Sequence, residues 1–316
     1  MNAANGARKD VDGVLLLDKP RGLSSQQAVA RAKRLFAARK AGHTGTLDPM
    51  ADGLLPIGFG EATKFTQFLL DSDKQYLATL QLGATTSTGD AEGEILQERP
   101  VAVSVEAIDA TLRRCTGPHV QTPPMHSAVK INGKPSYAYA RAGLVVERKP
   151  REISIHSIQL IDFSDKLLKI RVLCSKGTYI RVLAEEIGAA LGCGAHLCGL
   201  TREMAGDLGL AGATSIAELE AMDMPHRMAL LLATDAFAAS LPRLVTDGDV
   251  QRRLTIGQRV SMPMAMPGLY RLYGVSDVFF GVGEVTEGIL RARRLLIQSQ
   301  DLPPSPDGLS NRQVTG

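Results

Sequence analysis

The chain runs to 316 residues, 44% of them hydrophobic and 22% charged, with a formal net charge of +3 and a pI near 8.7. That length and apolar share support one large domain, or a large and a small one, and exclude a chain disordered throughout. The slight basic excess permits a polyanionic partner without requiring one, so where the charges fall matters more than their sum.

Four cysteines, Cys115, Cys174, Cys193 and Cys198, form no CxxC pair and have no zinc-type spacing with histidine. Neither a metal site nor a disulfide framework is expected. The first residues, MNAANGARKD, contain no apolar signal core, and no run is long enough to cross a bilayer. The expectation is a cytoplasmic protein with a flexible leader over residues 1–12.

Residues 13–17 (GVLLL) read as a short buried strand and 18–22 as a turn. Ser24 opens a capping box with Gln27, after which Val29, Ala32, Leu35 and Phe36 recur at helical spacing. Residues 31–40 carry five basic side chains and no acid, a face that is either solvated or set against phosphate. Residues 41–49 (AGHTGTLDP) have poor helical credentials and no alternating apolar face, so they read as a loop. With His43 and Asp48 five apart and glycines admitting a ligand to the backbone, that loop is a candidate chemical site. The plainer alternative is a turn at Asp48-Pro49 with His43 at the surface.

Residues 50–60 hold too much Gly and Pro for long regular structure, and 62–70 (ATKFTQFLL) are helical in pattern. The preceding Gly58, Gly60 and Lys64 lack the spacing and the following hydroxyl of a phosphate loop, which discounts a nucleoside triphosphatase. Residues 74–82 alternate as a strand with Tyr76, Ala78, Leu80 and Leu82 on one face, where Tyr76 alone reads as a core residue. A turn at 90–93 precedes an amphipathic helix at 104–115.

Residues 121–134 (QTPPMHSAVKINGK), with His126, Lys130 and Lys134, are an exposed arm or a plain connection, and the basic style continues to Arg151. Strands follow at 153–160 and 167–174. Thr178 is expected to cap a helix whose Ile180, Leu183, Ala184 and Ile187 form the buried stripe. Arg181 would lie off that stripe in the first turn, where a cation opposes the helix dipole unless a carboxylate answers it, whether from Glu185 or from elsewhere. Residues 241–300 contain eight arginines, no lysine and five acids, with short apolar runs split by glycines that suit a small β barrel. Residues 301–316 are rich in Pro, Ser and Gly and are expected to be disordered.

Six motifs now stand in order: DKPRGLSS (18–25), GHTGTLDP (42–49), GEATKF (60–65), KQYLATLQLG (74–83), PPMHSAVKINGKPSYAYAR (123–141) and KGTYIRVLAEEIG (176–188). Together they closely resemble the bacterial tRNA pseudouridine-55 synthases of the TruB family, over most of the first 240 residues. The resemblance implies an α+β fold: a mixed, largely antiparallel sheet core of the pseudouridine synthase type with flanking helices at 13–243, including an RNA-binding arm at about 121–151. A small C-terminal β-barrel PUA-like RNA-binding domain would follow at 244–300. It also implies conversion of uridine 55 in the tRNA T-loop to pseudouridine with no cofactor and no metal, by a monomer that binds the T-arm of tRNA without a guide RNA.

Residue by residue, the resemblance makes Asp48 the nucleophile and Arg181 its ion-pair partner. Tyr76 packs on the target base, His43 helps take that base out of the loop, and Tyr179 and Leu200 contact it. Lys19 and Pro20 match a structural motif. Two positions depart from the pattern: Asp52 adds a charge four residues from Asp48, expected to face water, and His126 stands where relatives often carry an aromatic ring.

The chemistry suits these groups. Pseudouridine formation breaks the bond from N1 to C1′, turns the uracil and joins C5 to C1′, so a carboxylate nucleophile suffices, attacking at C6 or at C1′. Partial burial would raise the pKa of that carboxylate, and an adjacent arginine would lower it again. Extruding the base costs roughly a few kcal/mol, which stacking on Tyr76 or Tyr179 offsets. Rival readings are a tRNA-binding folding chaperone with catalysis secondary, a guide-RNA-dependent relative, and a glycoside hydrolase using Asp48 and Asp52.

Overall fold

The computed structural model describes residues 9–127, 129–131, 133–144 and 146–296. Most of the expected leader, residues 1–8, and the tail expected at 301–316 lie outside the described residues. The chain divides into two compact units, Met1–Ser240 and Leu241–Gly316.

The larger unit is built on a ten-stranded sheet with helices packed against it. Its spine runs Thr214–Ser215, Gly13–Lys19, Asp52–Phe59, Ala195–Ala205, Lys74–Leu82, Leu167–Cys174, Arg151–Ser164, Gly117–Gln121. Ala41–His43 pairs with Asp52–Phe59 off that path, and Leu208–Gly209 with Ala195–Ala205. Two pairings are parallel, Gly13–Lys19 with Thr214–Ser215 and Ala195–Ala205 with Asp52–Phe59, and the rest are antiparallel. The mixed, largely antiparallel α+β expectation therefore holds. Leu15, Leu17, Leu55, Ile57, Leu80, Ile170 and Val172, all but sealed from solvent, form the sheet's contribution to the core. Helix Ser25–Leu35 covers it with Ala28, Val29 and Ala32, and its start is fixed by the expected capping box between Ser24 and Gln27.

Three local readings change. Residues 52–59 form an eight-residue strand in the middle of the sheet despite Gly53, Pro56 and Gly58. Pro56 is tolerated because the N–H and C=O of a strand residue point to the same side, and its carbonyl accepts from Thr44 N (3.2 Å), just past the end of the short Ala41–His43 pairing. Its missing N–H thus removes no bond to Gly13–Lys19. The first part of the expected loop, Ala41–His43, is the strand that makes this pairing. Thr178 does not cap its helix: Tyr179 is the N-cap of Ile180–Ala190, and the Thr178 hydroxyl donates instead to Ser175 O at 2.9 Å. The pattern at 62–70 resolves into a 3-10 turn, Gly60–Phe65, leading into the short α-helix Thr66–Leu70.

In the smaller unit five strands form a curled half-barrel sheet in the order Arg243–Val245, Gly268–Tyr273, Phe279–Thr286, Ile289–Leu295, Val260–Ser261. Helix Gly248–Thr255, capped by Asp247, places Leu254 against Val260, Leu272, Phe280, Val285 and Leu290, a core separate from that of the larger unit.

Candidate active site

The site grows from two neighbouring strands and the loop beside them. Tyr76 on Lys74–Leu82 stands opposite Arg202 on Ala195–Ala205, and Ala78 opposite Leu200, so Tyr76, Leu200 and Arg202 share one face of the sheet. Bulges between Leu197 and Gly199 and between Arg202 and Met204 bracket this segment. Such irregularities re-aim side chains next to functional sites.

The loop that carries Asp48 is held from three directions. Ser25, buried at the start of helix Ser25–Leu35, accepts from Leu47 N (2.7 Å) and donates to Leu47 O (3.0 Å). Gly22 N donates to Pro49 O (2.8 Å). Arg202 Nη2 donates to Gly45 O (3.1 Å). A loop bearing a reacting group needs such external ties, because it has no ladder of its own.

Asp48 meets Arg181 at this point, Oδ2 to Nη2 at 3.0 Å. Arg181 lies in the first turn of Ile180–Ala190 and is buried, 5% exposed, not displaced from the packed face as expected. Its guanidinium also contacts Asp90 Oδ2 (3.4 Å) and donates to His126 O (2.7 Å) and Thr88 O (3.4 Å). The carboxylates that answer this cation therefore come from outside its own helix. Burial pushes the Asp48 carboxyl above its ordinary pKa of 3.8; Arg181 pulls it down, Asp90 pushes it further up, and burial prevails.

Asp90 is the group that sequence reasoning passed over as a turn residue. Its side chain accepts from Thr88 Oγ1 and from Glu92 N (3.1 Å), and Gly89 lets the turn close at φ +72°. A local Asp-turn pattern gives no hint that the carboxylate reaches a helix ninety residues on. Asp52, by contrast, has other partners than Asp48's: it pairs with Arg21 (2.8 Å) and accepts from the Thr201 hydroxyl.

Asp48, Tyr76, Tyr179, Arg181 and Leu200 line one cavity of about 390 Å³, together with Lys74, Ser127, Arg151 and Arg202. Tyr76 keeps its proton, burial raising its pKa above 10 against the pull of Arg202. His43 is outside the lining, on Ala41–His43; its Nδ1 accepts from Gly45 N (3.3 Å), and burial with the nearby Arg202 charge lowers its pKa below 6.5. The imidazole is thus neutral near pH 7. Lys74 donates to the carbonyls of Leu69, Leu70 and Ser72 (2.9, 2.7 and 2.6 Å), closing the C-terminal end of helix Thr66–Leu70. Lys19, fully buried, donates to Pro20 O and Leu23 O. Desolvation lowers both lysines to about 8. Among the described residues no group of histidines, cysteines and acids could hold a metal.

Comparison with known proteins agrees with this architecture. Residues 33–180 match the model of the TruB family pseudouridylate synthase (N terminal domain), and residues 242–296 that of pseudouridine synthase II TruB, C-terminal. The chain is 52% identical to the tRNA pseudouridine synthase B of Cupriavidus metallidurans, over 92% of this chain and 95% of that protein. It is 51% identical to the protein of the same name from Dechloromonas aromatica, over 93% and 98%. Among solved structures, a chain of the archaeal box H/ACA sRNP Nop10-Cbf5 complex shares the fold with a TM-score of 0.70 at 22% identity, over 93% of this chain and 89% of that one.

Proposed function

Because the chain belongs to the TruB family of pseudouridylate synthases, we propose that it converts uridine 55 in the T-loop of tRNA to pseudouridine, with Asp48 as the nucleophile. The observation that carries the reading is the contact between Asp48 and the buried Arg181 at the wall of a cavity large enough for a nucleobase. A uridine swung out of the T-loop would lie between Tyr76 and Leu200, its ring against the phenol and its edge toward the carboxylate. Tyr179 contributes a second aromatic wall, and His43, neutral and outside the cavity, fills the space the base leaves behind. The reaction draws on protein groups alone, without cofactor or metal.

The same reading gives the chain a stand-alone role, as a cytoplasmic monomer that takes the T-arm of tRNA without a guide RNA. Residues 13–243 supply the chemistry and 244–300 add phosphate contacts. Among the described residues no helix is long and apolar enough to cross a membrane.

The test is incubation with unmodified tRNA and with a tRNA whose T-loop uridine is replaced, followed by mapping of pseudouridine. One new pseudouridine at position 55, absent from the replaced tRNA and from reactions with Asp48→Asn, is the expected result. Modification at another position, or full activity of Asp48→Asn, would overturn the assignment.

A further inference from the structure

Arg202 lines the base cavity, and holding the Asp48 loop at Gly45 O uses one of its nitrogens but not its charge. It is 1% exposed, its Nε donating to Leu54 O (2.7 Å) and its Nη2 to Gly45 O (3.1 Å). Arg181, equally deep, is met by two carboxylates; among the described residues Arg202 has none within ion-pair distance. Its titratable neighbours are Tyr76, Lys74, His43 and Lys19, none of which supplies a negative charge near pH 7. A buried guanidinium met only by carbonyls and the neutral Tyr76 phenol, with no carboxylate, is costly to hold, and an anion entering the cavity would offset that cost.

We propose that Arg202 is a further catalytic residue, whose charge stabilises the negative charge that the uracil ring acquires during isomerisation. The inference rests on the reading of the site as a pseudouridine synthase. When the bond from N1 to C1′ breaks, its electron pair stays with the ring, spread over N1, O2 and O4. The new bond from C5 to C1′ takes a pair from the ring, the proton on C5 leaves, and N1 gains a proton, so that the product is an isomer of the substrate. If Asp48 instead adds first at C6, the displaced pair appears at O4. Either route charges a ring oxygen inside a cavity where Asp48 is already paired with Arg181, and Arg202 is a buried guanidinium on its wall with no carboxylate partner among the described residues. Fixed donors and charges aimed at developing charge in a dry site are worth far more than in water.

Arg202 also ties Gly45 to Leu54, so a purely positioning role must be separated from this one. Single-turnover rates and tRNA affinities of Arg202→Met and Arg202→Gln make the separation. The glutamine keeps neutral donors without the charge, and decides the matter if the methionine variant does not fold. The expected loss is about 100- to 1000-fold in rate, with tRNA affinity within roughly threefold of wild type. Methylguanidinium added to Arg202→Ala should restore the rate at least about tenfold. A rate of either variant close to wild type, a loss confined to tRNA affinity, or an Arg202→Ala that methylguanidinium does not rescue would overturn the proposal. Wild-type chain in the same reactions tests the underlying activity: if it makes no pseudouridine, it is the function that fails, and not the role of Arg202.

Discussion

Asp48 is held in conflict, its charge opposed by burial and by Asp90 and favoured by Arg181. Because burial prevails, the ionised form destabilises the fold, and Asp48→Asn should melt at or above the wild-type temperature while losing at least about a thousandfold in turnover. A thermal scan beside a pseudouridine assay checks both halves. The acid limb of the single-turnover rate should lie above pH 3.8, since the carboxyl must shed a proton whose pKa is raised. Arg181→Met should cost about 3–5 kcal/mol by denaturant titration, because it leaves Asp90 buried and Asp48 half-buried without their cation. For Lys19 and Lys74 the sign is opposite to that of the usual paired base. Between about 8, where the folded lysines release their protons, and 10.5, where the unfolded ones do, the unfolded chain binds more protons, so their contribution to stability rises with pH. Denaturation midpoints taken across that window read the slope. Asp48 and Arg181 were legible in the sequence, one from a glycine-rich motif and the other from its awkward place in a helical first turn. Asp90 and Arg202 were not, because a turn aspartate and a strand arginine look ordinary until tertiary pairing sets them beside a cavity.

At the scale of elements, strand Asp52–Phe59 was the largest misreading, and its cause is physical. Its glycines and proline weaken a lone strand, but here each answers a neighbour. Gly53, at φ +94°, sits so close to Ala195–Ala205 that an added Cβ would lie 2.6 Å from Arg202 O and 2.9 Å from Arg202 N. Gly58 likewise gives room to the Phe237 ring, 2.7 Å from where its Cβ would stand. Gly53→Ala should therefore push the paired strands apart where the Asp48 loop and Arg202 meet, costing at least about 1 kcal/mol and slowing turnover further than stability alone explains. Chemical denaturation together with single-turnover kinetics would show it. Strands Lys74–Leu82 and Leu167–Cys174 were readable to the residue, because alternation persists where one face is buried and the partner strands are regular.

For the whole molecule, the basic surface is smaller than composition suggests. Arg31 pairs with Glu220 and Arg39 with Asp10, while Arg243, Arg252 and Arg293 have acidic partners of their own. Arg259, Arg291 and Arg294 are exposed and have no carboxylate within ion-pair distance among the described residues. Arg291→Gln with Arg294→Gln should weaken tRNA binding and reduce the slope of log affinity against log salt by about 1 for each phosphate left unneutralised, with the rate on bound tRNA unchanged. Filter binding across a salt series measures this. Composition pointed to a nucleic-acid partner only in outline, since intramolecular pairing decides which arginines are left for phosphate. Over a full catalytic cycle, the interior must also stay balanced. On the proposed mechanism Asp48 ceases to be an anion when it shares its electrons in a covalent bond with substrate, and a guanidinium matched to it alone would be stranded deep in protein. Arg181 would not be stranded, because Asp90 stands at its other nitrogen and would keep the interior electrically closed until Asp48 is released.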